Sequence, residues 1–93
     1  MYPVRSPVTK KRTGGSKVNR LPSLDMTATG ANIERLRENA GLSVQELQLQ
    51  LGLASTQAIY RWQRGETMPT LDNLVALCAI FQVSLNEIII CRR

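Results

Sequence analysis

Four polar residues in one short segment have the spacing of a single helical face. Their positions differ by three, four and seven, so on an α-helix they form one stripe, with two guanidinium groups and no carboxylate. Arginine can donate two hydrogen bonds to guanine O6 and N7, and glutamine can pair with adenine N6 and N7. A solvated helix face more often carries Lys and Glu, so the stripe favours recognition of bases in a DNA major groove. The members of this outer stripe are Gln57, Tyr60, Arg61 and Arg64.

The opposite face of the same segment is apolar, with Ala58, Ile59 and Trp62 clustered on it. The spacing of Trp62 from Ile59 predicts that this single tryptophan packs in the core and does not stack on a base. Tyr60 either contacts DNA, at a phosphate or a thymine methyl, or leans on the preceding helix. Residues 43–65 therefore predict two short helices joined by a tight turn, the second with a buried and a polar face.

The positive charge of the chain is concentrated at its N-terminus. The 93 residues carry a net charge of +5 and have room for one small domain. Residues 1–22 hold six Lys or Arg and no acid, whereas the remainder holds six Arg and seven acids. We predict a flexible basic arm over residues 1–24 and a domain over residues 25–93. Such an arm favours a polyanionic partner, although some basic arms only keep a protein soluble.

The composition argues against other classes of function. The chain has no His and two Cys, which disfavours a zinc site and catalysis by a general base, and no glycine loop suits a phosphate. We expect no enzyme activity, no cofactor, no metal and no small-molecule substrate. The N-terminus lacks the apolar run of a secretory signal, and no stretch is long enough to span a membrane. We expect a cytoplasmic protein associated with the nucleoid.

Helix-capping residues divide the rest of the chain into five helices, and no segment has the pattern of a strand. Thr29 is expected to cap the first helix and Ser55 the third, Pro69 and Thr70 are expected to introduce the fourth, and two capping boxes of the form S-x-x-E begin at Ser43 and Ser84. The predicted helices cover residues 30–39, 43–51, 55–64 and 71–81, and a fifth begins at 84. Their predicted inward side chains are Ile33, Leu36, Val44, Leu47, Leu51, Leu71, Leu74, Leu77, Cys78, Phe81, Leu85, Ile88 and Ile89.

The runs NIERLRENAGLSVQELQLQLGL and AIYRWQRGETMPTLDNLVALCAIFQVSLNEII resemble the helix-turn-helix domain of phage repressors and Cro, the XRE family. The resemblance covers residues 29–90 and is strongest to members found in Gram-positive bacteria. Its landmarks occur in order: Leu36-Arg37, Gly41-Leu42-Ser43, Gly52 and Trp62-x-x-Gly65. It implies an all-α, compact five-helix bundle like that of lambda repressor, and binding of double-stranded DNA.

The resemblance also implies roles for individual residues. Base contacts fall on Thr56, Gln57, Tyr60 and Arg61. By the same resemblance, phosphate contacts fall on Ser43 and Gln45, at the start of the second helix. Positive charge predicts further phosphate contacts at Arg64 and, in the arm outside the resemblance, at Lys10, Lys11 and Arg12.

Two positions depart from the family pattern. Val44 replaces a Gln that contacts DNA in repressors, and Gln63 replaces a Glu that pairs with the arginine at position 37. Arg37 must therefore find another carboxylate, of which Glu46 is the nearest candidate, stay solvated at its tip, or donate to the amide oxygen of Gln63. The turn after Gly52 is one residue longer than in phage repressors, which leaves the base-contact assignment open by one position.

The sequence thus predicts a sequence-specific transcriptional regulator, and more specifically a repressor, that reads the major groove with residues 55–64. The alternative is a protein-interaction module, such as an antitoxin-like or adaptor protein, because the domain itself has a net charge of −1. Family members bind operators as dimers. The end of the fifth helix, centred on Ile90, has more apolar side chains than a core requires, so we expect a weak homodimer through it.

Overall fold

The computed structural model of the protein describes residues 21–92, and within them five helices dominate, as predicted. None of these helices is long and apolar enough to cross a membrane. The helices are α1 (Met26–Asn39), α2 (Val44–Leu51), α3 (Gln57–Gln63), α4 (Leu71–Phe81) and α5 (Leu85–Ile88), and the strands are β1 (Ser23–Leu24) and β2 (Cys91–Arg92).

Each helix contributes one fully buried aliphatic side chain to a single core. These five side chains have no exposed surface, and Trp62 beside them is only 4% exposed, so the prediction that Trp62 packs in the core is confirmed. Burial of an aliphatic side chain contributes about 1.5–3 kcal/mol. The five are Ile33, Leu47, Ile59, Leu77 and Ile88.

The first helix begins four residues earlier than the sequence predicted. Asp25 caps it, because its carboxylate accepts a hydrogen bond from Ala28 N at 2.9 Å. The predicted cap, Thr29, was wrong: it is fully buried inside α1. Its hydroxyl accepts from Ile90 N at 2.9 Å and donates to Ile90 O at 3.3 Å, so it ties the C-terminal segment to the helix.

A two-stranded antiparallel sheet joins the two ends of the described chain, where the sequence predicted no strand. Ser23 pairs with Arg92 and Leu24 with Cys91. Asp25 N also donates to Ile90 O at 2.8 Å. Strands of two residues are too short to show the alternating pattern by which strands are recognised in a sequence.

Capping was predicted correctly for α2, α4 and α5. Ser43 and Glu46 form a reciprocal capping box at α2. Ser84 and Glu87 form one at α5, where Ser84 N donates to the Glu87 carboxylate at 3.0 Å. The bounds of α4 are those predicted. Two of the predicted inward residues are exposed: Leu71 to 69% and Leu85 to 39%, each at the first position of its helix.

The third helix is shorter than predicted. It spans seven residues, Gln57–Gln63, and begins after Thr56, which has helical backbone angles and no capping hydrogen bond from its side chain. The predicted cap, Ser55, therefore lies one residue before the actual cap position, Thr56. Its Oγ accepts a hydrogen bond from Gln57 N at 3.3 Å. The chain leaves the helix through Gly65, whose φ of +76° is in the left-handed region.

Of the three alternatives that the sequence left open for Arg37, the structure shows the hydrogen bond to the neutral amide of Gln63. Its Nε donates to Gln63 Oε1 at 3.0 Å and its Nη1 donates to Leu42 O at 2.7 Å. Glu38 lies 3.7 Å from its Nη2, while Glu46 serves the α2 capping box. Arg37 therefore links α1 to the end of α3, which carries the outer stripe.

Candidate nucleic-acid interface

The third helix presents the outer stripe to solvent and its apolar face to the core. Ile59 is fully buried and Trp62 nearly so. On the other side Gln57, Arg61 and Arg64 are exposed, and the ring of Tyr60 is 41% exposed. A helix fixed by one face in the core holds its other face at a defined orientation, which recognition of bases requires.

Gln57 and Arg61 form a ridge between two shallow clefts, each of about 290 Å³. One cleft is lined by the four residues of the outer stripe, which the structure therefore brings together as the sequence predicted. The other places two hydroxyl side chains from the loops on either side of α3 next to the ridge. It is lined by Ser55, Gln57, Ala58, Arg61 and Thr67.

Three predicted site residues of the described chain lie outside the ridge and its two clefts. Thr56 is half-buried at the start of α3. Ser43 and Gln45 are exposed at the start of α2. The Ser43 backbone N–H already donates to Glu46 Oε1 at 2.7 Å, so a carboxylate occupies part of the helix terminus at which a phosphate was expected. Lys10, Lys11 and Arg12 lie outside the described residues.

An ion pair stands at the end of the outer stripe. Arg64 Nε donates to Glu66 Oε2 at 2.7 Å, and Nη2 donates to Oε1 at 3.3 Å. The hydrogen bond from Arg64 lowers the pKa of Glu66 below its ordinary value, and the same bond raises the pKa of Arg64. Both groups are therefore charged at neutral pH. Within residues 21–92, no hydrogen bond or ion pair engages the guanidinium of Arg61.

The start of α1 packs against the end of α3. A Cβ added to Gly65 would come within 2.9 Å of Thr27 Cα, so the two backbones touch there.

Three residues of this surface were not predicted from the sequence. Ser55 was interpreted only as a cap, and Thr67 and Glu66 lie in a loop without periodicity. The position of Glu66 next to the glycine that ends α3 was the one available signal, since residues there are held close to the last helical turn.

Two observations settle the family. The fold places a short helix with an exposed polar face after a tight turn, and the helix-turn-helix family profile matches residues 33–88. The chain belongs to the helix-turn-helix family. It is of the XRE type, as the sequence predicted, and helix-turn-helix proteins of this type are DNA-binding transcriptional regulators. No curated protein sequence is significantly similar to the chain.

Solved structures with this helix-turn-helix fold include two regulators. The restriction-modification controller protein C.AhdI from Aeromonas hydrophila is 25% identical, with a TM-score of 0.62 over 69% of this chain and 96% of that one. The clp gene regulator ClgR from C. glutamicum is 21% identical, with a TM-score of 0.59 over 68% of this chain and 80% of that one.

The described residues contain no group of three or more metal-binding side chains.

Proposed function

We propose that this helix-turn-helix protein is a sequence-specific repressor that inserts α3 into the major groove of its operator. The observation that carries the proposal is the ridge of Gln57 and Arg61, which is exposed between two polar clefts on a helix fixed from behind by Ile59 and Trp62. A narrow exposed ridge of this kind suits insertion into the major groove, which is about 12 Å wide.

The side chains divide into base and backbone contacts by their place on the surface. Gln57 and Arg61, at the crest, are the proposed base readers, with Thr56 and Tyr60 beside them. In the cleft on one side, Ser55 and Thr67 offer hydroxyl donors for a phosphate. Ser43, through its hydroxyl hydrogen, and Gln45, through its backbone amide, are the proposed phosphate contacts of α2, because the capping box uses neither donor. Arg64 also belongs to the DNA surface.

The described domain does not attract DNA by net charge, because residues 21–92 hold five Arg and seven Asp or Glu. Non-specific binding depends on cations that replace the counterions of phosphates. We therefore assign this role to the basic residues of the arm that precede β1, and in particular to Lys10, Lys11 and Arg12. The cytoplasm, at the nucleoid, is the corresponding location.

A protein-interaction module is the second candidate, and one feature favours it. The outer side of α4 carries Leu71 and Val75, which are 69% and 61% exposed and lie one helical turn apart. Exposed apolar side chains in a row suit a partner protein. This candidate predicts a protein that binds no DNA sequence selectively.

Selection of binding sites from random duplex DNA tests the proposed function. We expect enrichment of one motif by the unmodified chain. Arg61→Ala should abolish the preference for one base pair, since loss of a bidentate guanine contact reduces discrimination by about 1–3 kcal/mol. Asn86→Ala, an exposed position on α5, is the control and should select the same motif as the parent. Selection of no motif by the unmodified chain would favour the interaction module.

Neutralising the arm should weaken binding to every sequence alike. With Lys10, Lys11 and Arg12 all replaced by Gln, we expect the slope of log K against log salt to fall by as much as about three, roughly one for each lost phosphate contact. The ratio of operator to unrelated DNA affinity should not change. A variant with Arg, Arg and Lys at these positions keeps the charge and should bind like the parent. An unchanged slope in the neutralised variant would contradict the role of the arm.

A further inference from the structure

The ion pair at the end of the outer stripe is placed where DNA can reach it. The side chains of Arg64 and Glu66 are 56% and 51% exposed, and Arg64 lines the same cleft as Gln57, Tyr60 and Arg61. Exposed ion pairs contribute little to the stability of a fold. The main consequence of this ion pair is therefore that it determines which ligands the guanidinium of Arg64 can bind.

The carboxylate occupies one edge of the guanidinium and leaves another edge free. A guanidinium has five N–H donors in a rigid planar fork. Glu66 accepts from Nε and from one N–H of Nη2. The remaining N–H groups belong to Nη1 and Nη2, and together they provide two parallel donors. That pair of donors matches the O6 and N7 acceptors of guanine.

Glu66 is itself held in place by the end of α3. Its backbone N–H donates to Arg61 O at 2.9 Å, while Gly65 N donates to Trp62 O at 3.0 Å, a pattern that closes the helix around a left-handed glycine. The close approach of Gly65 to Thr27 fixes this turn against α1. Glu66 is thus a support with a defined position for the arginine.

The negative charge of Glu66 also discriminates between the possible ligands of Arg64. A phosphate that bound the free edge would bring a second full negative charge close to the carboxylate, and the two would repel each other. The edge of a guanine is neutral as a whole and presents only partial charges. An arginine paired with Glu66 therefore favours a base over a phosphate.

We propose that Glu66 is a specificity-determining residue that positions the guanidinium of Arg64 to read a guanine of the operator. The inference rests on the proposed function, since it requires α3 to lie in the major groove. It assigns Arg64 to a base, whereas the sequence pattern assigned it to a phosphate. Glu66 acts through Arg64 and need not touch DNA itself.

Selection from random duplex DNA by three proteins tests the inference: the unmodified chain, Glu66→Gln and Arg64→Lys. We expect both variants to lose at least about five-fold of the preference for guanine, at the same single position of the motif. Arg64→Lys keeps the charge but loses the fork. The affinity of Glu66→Gln for unrelated duplex DNA should not fall, because the substitution removes a negative charge.

Glu38→Gln is the matched control, since it removes another exposed carboxylate close to an arginine and should leave the motif unchanged. Thermal unfolding of each variant checks that the fold is kept. If the unmodified chain selects no motif, the proposed function fails. If it selects a motif and Glu66→Gln selects the same one with equal preference at each position, the inference fails alone. An unchanged motif for Arg64→Lys would also overturn it, because a phosphate contact tolerates lysine.

Discussion

Replacement of Gly30 by alanine is expected to destabilise the fold strongly, although it exchanges a poor helix former for the best one. In an exposed helix interior the same change stabilises by about 1 kcal/mol. Gly30 is buried in α1, and a Cβ there would lie 2.1 Å from Trp62 O and 2.8 Å from Gln63 O. These atoms are backbone, so α1 and α3 must move apart to admit a methyl group.

We expect the net loss in the free energy of unfolding to be about 3 kcal/mol, the upper part of the usual range for overpacking. In a domain of this size that lowers the melting temperature by roughly 15 °C or more. Molecules that remain folded should bind DNA poorly, because the displaced segment is the last turn of the recognition helix.

Gly41→Ala is the matched control for Gly30→Ala. Gly41 has a φ of +75°, and a Cβ built there meets nothing within 4 Å. The substitution should therefore cost only the backbone strain, about 1–2 kcal/mol. Thermal melts followed by circular dichroism compare the two variants. A melting temperature for Gly30→Ala at or above that of Gly41→Ala would show that α1 and α3 are not in the close contact described.

Local signals explain what the sequence predicted of the fold. The bounds of α4 followed from the Pro69-Thr70 start and an apolar repeat of three and four, and the capping boxes of α2 and α5 each lie within four residues. The missed features are bonds between distant residues. Thr29 and Ile90 are 61 positions apart, and no local pattern distinguishes a capping threonine from one that bonds a distant segment of the chain.

The candidate site likewise has a part that local signals predicted and a part that depends on distant contacts. The outer stripe was visible because helical periodicity separates its polar residues from Ile59 and Trp62. Ser55 and Thr67 come together only through the path of two loops, and a sequence does not specify that path. The partner of Arg64 depends on the left-handed turn at Gly65, which the sequence indicated, and on a side-chain conformation, which it did not.

The number of chains that bind one operator can be predicted from the length of α3. A recognition helix of seven residues contacts only a few base pairs, too few for selectivity in a genome. We therefore propose that two chains bind one operator, on half-sites about 34 Å apart. The proposed contact is centred on Ile90, as the sequence suggested, but the prediction that Ile90 lies in the fifth helix was wrong, because α5 ends at Ile88.

The structure gives this proposed contact a definite surface. Ile90 is half-buried and follows α5, and it lines a largely apolar cleft of about 320 Å³ against α1. The cleft is small, so the dimer should be weak in solution and complete on DNA, where the second chain binds at a high effective concentration. The lining residues are Ala28, Ala31, Asn32, Arg35 and Ile90.

Ile90→Glu and Ala31→Glu should each reduce the stoichiometry on operator duplex from two chains to one and weaken binding by about 100-fold or more, as the avidity of linked sites is lost. Ala31 is exposed, so its variant separates loss of the contact from loss of the fold. Sedimentation of each protein alone and with the selected duplex measures the number of chains.

Val75→Glu is the control, because it adds the same charge to the other exposed apolar surface, on α4. It should leave two chains bound. If Val75→Glu and not Ala31→Glu removed the second chain, the interface would lie on α4 and the contact at Ile90 would be wrong. One chain of the unmodified protein on every tight site would exclude the dimer altogether, and selectivity would then have to come from the base contacts of a single α3 together with the basic arm.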